Sequence, residues 1–133
     1  MIKTFLYDFC KLKIYDSEMK NPNFDLASLL VTHSKKVSEQ MGYTIKPSEN
    51  QVNNLGYDML RAKQFKKAEK LFELNVANNP SSANCHDSIG DFYLETGNKM
   101  KAIECFKKAL TLKQMPETKG KLEALLNDKK TSK

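Results

Sequence analysis

The sequence predicts an all-α fold made of repeated helix pairs. Apolar residues recur at helical spacing along most of the chain, as at Val52, Leu55 and Met59. Strand signals are weak, because no run of β-branched residues alternates with polar ones for long. A pattern of small and aromatic residues also returns after 34 positions. Fixed periods of this size are typical of stacked helical units, so we expect an α-α superhelix in the form of a short solenoid.

Four pairs of matched residues define this period. Glycine inside a helix costs about 1 kcal/mol relative to alanine, so glycine at the same place in two helices indicates close approach of a neighbouring helix. Phenylalanines at matched positions would fill the wedge where two helices diverge. Ordinary glycines and core aromatics of a helical bundle would not share one offset. The pairs are Leu55 with Ile89, Gly56 with Gly90, Ala68 with Ala102, and Phe72 with Phe106.

The first repeat, 49–82, is predicted to be two helices joined by a turn. Ser48 and Gln51 have the spacing of a capping box at the start of its first helix. The turn is expected at 62–64. Pro80 ends the second helix, because proline disfavours helical geometry in the residue before it.

The second repeat, 83–116, follows the same plan. Ser81 or Ser82 can cap its first helix. Gly97 suits the left-handed residue at the end of that helix. Residues such as Ile103 and Ala109 make the second helix apolar on one side, so this repeat is expected to bury one face of each helix.

Both repeats resemble the tetratricopeptide repeat, a family of 34-residue helix-turn-helix units. The resemblance covers about half of the chain. Val52 and Met59 depart from the large aromatic residues of the family in the first repeat, and His86 and Gln114 depart from its tryptophan and proline in the second. The matching residues are Leu55, Gly56, Ala68, Phe72 and Pro80 in the first repeat, and Gly90, Tyr93, Ala102, Phe106 and Ala109 in the second.

The segments outside the repeats are predicted to be helical caps. We expect a helix over 2–15, a polar loop over 16–23, and a second helix that begins at Asn23 or Asp25 and ends at Gly42. Together they form an N-terminal helical segment, 1–48, whose second helix covers the first repeat. At the other end, 117–133 is predicted to be a capping helix with a disordered tail.

A narrower resemblance concerns the whole length. A helix ending at 42–43, the run 54–57 and the run 78–84 are similar to the C-terminal tail of certain bacterial esterases, in which an α/β-hydrolase domain precedes a short tetratricopeptide segment. This resemblance implies an accessory domain or fragment of such a hydrolase. It assigns no catalytic residue to this chain.

Composition favours a protein without nucleic-acid or membrane-spanning function. The net charge of +6 arises from 22 basic and 16 acidic residues, which are interleaved along the helices. No apolar run is long enough to span a bilayer. The three cysteines, Cys10, Cys85 and Cys105, have no CxxC spacing, so we expect free thiols in a reducing, cytoplasmic location.

No catalytic or metal-binding motif is evident. There is no G-x-S-x-G elbow, and neither His33 nor His86 has metal-ligand spacing. Ser88 follows Asp87, but no general base accompanies this pair. We therefore expect no enzymatic activity, no cofactor and no metal.

In the tetratricopeptide family, the first helix of each repeat lines a groove that binds peptides or partner helices. The resemblance therefore implies that the chain is a binding scaffold for a protein or peptide. Acidic residues in the second repeat predict a preference for a basic or neutral segment, although a solvated helix face explains them equally well. Self-association as a homodimer and attachment to a hydrolase are the alternatives. The predicted groove residues form two stripes spaced four apart, with Asn84 near the second: Asn53, Tyr57 and Arg61, and Asp87, Asp91 and Glu95.

Overall fold

The fold is α-helical, as a computed structural model of residues 5–9 and 12–128 shows. Seven helices are present in this part of the chain, which confirms the predicted all-α class. The chain divides into two compact units, 1–74 and 75–133. The elements are β1 (Phe5–Phe9), β2 (Leu12–Tyr15), α1 (Asp16–Lys20), α2 (Leu26–Met41), α3 (Glu49–Arg61), α4 (Phe65–Asn78), α5 (Ala83–Glu95), α6 (Lys99–Leu112) and α7 (Pro116–Asp128).

The N-terminal helix predicted over 2–15 is wrong for the residues that the structure describes. β1 and β2 pair there as an antiparallel hairpin, with Phe9 opposite Leu12. Aromatic and β-branched residues at alternate positions favour a strand as much as a helix, and this ambiguity is typical of short apolar segments. The loop expected over 16–23 contains the short helix α1.

Side-chain caps set the boundaries of α2 and α3 in the first unit. Asp25 caps α2, since its carboxylate accepts a hydrogen bond from the backbone N–H of Ser28 at 3.0 Å. That hydrogen bond lowers the pKa of Asp25 more than burial raises it. Gly42 ends α2 with a φ of 80°, in the left-handed region that glycine adopts without strain. Ser48 caps α3, as the sequence predicts.

In the first unit, α3 packs closely against α4. Gly56 allows this approach, because a Cβ atom there would lie 2.7 Å from Cε1 of Phe72. Phe72 is 1% exposed, and the edge of the Tyr57 ring meets it at a centroid distance of 5.2 Å. The turn between these helices includes Lys63, whose φ is 61°. The small-residue packing predicted for the first repeat is therefore present.

In the second unit, α5 and α6 repeat this arrangement. A Cβ atom on Gly90 would lie 2.5 Å from Cε1 of Phe106, and Phe106 is fully buried. Ser82 is the residue that caps α5, and Gly97 follows the helix with a φ of 88°. Both pairs of helices thus share the same lengths, the same offset and the same glycine–phenylalanine contact.

α7 packs against α6 and completes the core of the second unit. Leu125 is 8% exposed and belongs to the same cluster as Ala102, Ile103 and Phe106, while Leu122 packs at its edge. The fully buried Thr118 lies one turn before Leu122. The other side of α7 is exposed, as predicted for a capping helix.

Candidate docking groove

The groove residues predicted in the first unit are only partly available to a ligand. Tyr57 is half-buried and uses its ring to pack against Phe72. Arg61 is exposed and forms an ion pair with Asp58, three residues earlier on the same helix. The side-chain oxygen of Asn53 is buried and accepts no hydrogen bond within the described chain. These three residues therefore present a mixture of packed and exposed groups.

The acidic residues predicted in the second unit bind α7. Asp87 is 8% exposed, and its Oδ1 accepts a hydrogen bond of 2.6 Å from the hydroxyl of Thr118. The ammonium group of Lys121 lies 3.1 Å from Oδ2 of Asp87 and 2.9 Å from Oδ1 of Asp91. Glu95 is exposed. Two of the three acids thus hold the last helix in place and do not form an open acidic surface.

This cluster is a partly buried ionic network with one cation and two carboxylates. Burial lowers the pKa of Lys121, but the hydrogen bonds to Asp91 and Asp87 outweigh it and raise that pKa overall. Lys121 was not among the predicted site residues, because the prediction of α7 rested on its leucines alone. The signal was present, since α7 holds a lysine among the leucines of its apolar side.

Asn84, the remaining predicted groove residue, lies at a cleft between the start of α5 and the end of α6. The cleft has a volume of about 530 Å³ and is mostly polar at its α5 side, where Ser81 and Ser82 lie. Leu112, Lys113 and Met115 form the other side. Asn84 therefore lines this cleft from the first turn of α5, three residues before Asp87.

A second cleft, the α7 groove, lies between the end of α6 and α7. Its volume is about 640 Å³, and its surface is mainly apolar, with a lysine and a glutamate at the rim. Leu126, at its far end, is 39% exposed. The α7 groove is lined by Leu110, Gln114, Met115, Pro116, Lys119, Leu122, Glu123 and Leu126.

The α7 groove lies on the side of α7 that faces away from the core of the second unit. Lys119, Glu123 and Leu126 are exposed, whereas Thr118 and Leu125 are buried. Among the described residues, no helix covers the exposed side of α7.

Two further titratable groups in the described part of the chain have shifted pKa values. Burial lowers the pKa of Lys67, whose ammonium donates to the carbonyl of Glu18 at 3.0 Å. Burial also raises the pKa of the Cys105 thiol, which reduces its thiolate fraction and its nucleophilicity. Within residues 5–9 and 12–128, no three histidine, cysteine or acidic side chains cluster as metal ligands would.

Comparison with known proteins adds no assignment. No family model matches the sequence, and no curated protein matches it. Among the described residues, every helix is too short or too polar to cross a membrane. The geometry of the α7 groove is therefore the main basis for a functional proposal.

Proposed function

We propose that the chain is a non-catalytic protein-interaction module of the tetratricopeptide type, which binds a helical segment of its partner in the α7 groove. Two observations support the repeat assignment. The helix pairs recur at an offset of 34 residues, and each pair has the same glycine–phenylalanine contact. Fold alone does not establish a role, so the binding function depends on the groove.

The observation that carries the proposal is the open apolar face of α7. Leu122 and Leu126 line this face together with Met115 from the preceding turn. Contiguous exposed apolar surface with a polar rim is typical of sites where proteins bind one another. Leu122 and Leu126 lie one helical turn apart along α7, so a helix lying along α7 is a shape that this surface accommodates.

The chemistry of the rim narrows the class of partner. A helix that binds a groove uses apolar residues at spacings of three and four as anchors. Glu123 is exposed and lines the groove beside Leu122, so its carboxylate would lie against the incoming helix. A suitable partner is therefore an amphipathic helix with a lysine or arginine beside its apolar stripe.

A display experiment tests this proposal. A library of random helical peptides would be selected on the immobilised chain, and bound peptides would be tested against Leu126→Glu and against Met100→Glu. Met100 is 67% exposed on α6 and does not line the groove, so it is the matched control. We expect amphipathic basic peptides that lose binding with Leu126→Glu alone. Failure to recover any binder, or equal binding to both variants, would overturn the proposal.

A further inference from the structure

We propose that the natural occupant of the α7 groove is α7 of a second copy of this chain, packed antiparallel about a two-fold axis. This inference rests on the proposed function and names its partner. A two-fold interface uses the same patch on both copies, so that patch must complement itself. The residues of the α7 groove meet this requirement in charge and in apolar contact.

Charge is the first element of this complementarity. Lys119 and Glu123 lie one helical turn apart on the exposed side of α7, and both line the groove. When two such helices pack antiparallel around position 121, Lys119 of one copy lies opposite Glu123 of the other. The reciprocal pair forms at the same time. A partner helix must place a cation beside Glu123. A second copy of this chain supplies that cation as its own Lys119.

Apolar contact is the second element. In the same antiparallel register, Leu126 of one copy lies opposite Pro116 of the other, next to Met115 at the end of the groove. Leu122 lies beside the symmetry axis and meets Leu122 of the second copy. Apolar side chains of the two copies therefore bury one another across the axis, and this burial drives association of the dimer. They are Met115, Pro116, Leu122 and Leu126.

Sedimentation velocity across a series of concentrations tests self-association of the full chain. We expect the wild-type chain to shift from monomer to dimer as its concentration rises. Leu126→Glu should weaken this association by roughly tenfold or more, because a charge would be buried in the apolar contact. Met100→Glu should leave it unchanged. A wild-type chain that stays monomeric, or a dimer that Leu126→Glu does not affect, would overturn the inference.

Charge exchange tests the register itself. Lys119→Glu and Glu123→Lys should each weaken the homodimer, because like charges would face one another across the axis. An equimolar mixture of the two variants should associate more tightly than either alone, since one chain then carries two acids and the other two bases. The double variant Lys119→Glu/Glu123→Lys should recover the wild-type association. A mixture no tighter than its components would contradict the antiparallel pairing.

These results separate this inference from the proposed function. A wild-type chain that stays monomeric but binds display-selected peptides, with loss in Leu126→Glu, refutes the second copy as occupant and supports the docking groove. A monomer without any such peptide refutes both. A dimer that obeys the charge exchange supports both.

Discussion

α5 and α7 are helices of equal length in the same unit, and they differ in what covers them. Each has 13 residues, and each packs against α6. The eighth residue of α5 is Gly90, and the ring of Phe106 lies directly on it. The eighth residue of α7 is the exposed Glu123, and no aromatic ring from the described residues is stacked on it in this way.

Gly90 permits contact with Phe106 at a distance that a Cβ atom would forbid. The exposed side of α7 has no such contact among the described residues, and it keeps an apolar side chain toward solvent at Leu126. The comparison teaches that α5 is closed by a glycine–ring contact, whereas α7 offers a surface to a partner at ordinary side-chain distance.

Phe106→Ala should produce the largest change, because it removes the ring that distinguishes the surroundings of Gly90 from those of Glu123. We expect the free energy of unfolding to fall by about 3–5 kcal/mol, since a fully buried phenylalanine leaves a cavity. Urea denaturation followed by circular dichroism measures this loss. Leu112→Ala, at the partly exposed end of α6, is the matched control and should cost far less. Equal losses of unfolding free energy in Phe106→Ala and Leu112→Ala would contradict the claim that the Phe106 contact sets α5 apart from α7.

Lys121→Met should have the next largest effect, because Lys121 is the cation that joins α7 to α5. Removing it leaves the carboxylate of Asp87 buried with a hydroxyl donor but no counter-ion, and we expect a loss of about 2 kcal/mol. Lys119→Met is the control, since Lys119 is exposed at the groove rim. A loss no greater than that of the control would show that the network does not hold α7.

The network of Lys121 with Asp87 and Asp91 predicts that the stability of the fold depends on pH in alkaline solution. The folded-state pKa of Lys121 lies above its usual value of 10.5, so its contribution to stability is complete below that value. The contribution falls as the pH rises through the raised folded-state pKa. The difference in unfolding free energy between wild type and Lys121→Met should therefore be constant near neutral pH and shrink in strongly alkaline solution. A difference that grows with pH would contradict this sign.

Gly120→Ala should give the smallest change, in the stabilising direction. Gly120 lies in the interior of α7, and among the described residues no atom beyond its chain neighbours and the backbone of its own helix lies within 4 Å of the place where its Cβ would be. Alanine there should raise stability by about 1 kcal/mol through helix propensity alone. Thermal denaturation of dilute protein measures the shift. A loss of stability would mean that α7 has a close neighbour on this side.

The repeat core could be predicted from the sequence, because small residues that recur at a fixed offset indicate helices that pack closely at those positions. The helix boundaries followed from local rules as well, since Ser48, Ser82 and Gly97 act through their immediate neighbours. These features depend on backbone geometry and short-range hydrogen bonds, which a linear pattern records directly.

The N-terminal hairpin and the tertiary partners of the acidic residues could not be predicted in this way. The segment around Phe5 and Phe9 satisfies helical and strand spacing alike, so periodicity does not decide between them. Asp87 was assigned to an open groove, because its partners Thr118 and Lys121 are some 31 and 34 residues distant in the chain. Tertiary partners at that distance leave no local signal. The α7 groove was not predicted either, because a sequence pattern does not record which face of a helix stays uncovered in the fold.

The most direct test of this account is alanine at the eighth residue of each helix, Gly90→Ala on α5 and Glu123→Ala on α7. The unfolding free energy of both variants would be measured by urea denaturation, at a concentration where sedimentation shows each chain to be monomeric. We expect Gly90→Ala to lower it by about 1–3 kcal/mol through overpacking against Phe106, and Glu123→Ala to change it by less than about 0.5 kcal/mol. Equal losses in the two variants, or a larger loss for Glu123→Ala, would contradict the claim that α5 is closely covered and α7 is open.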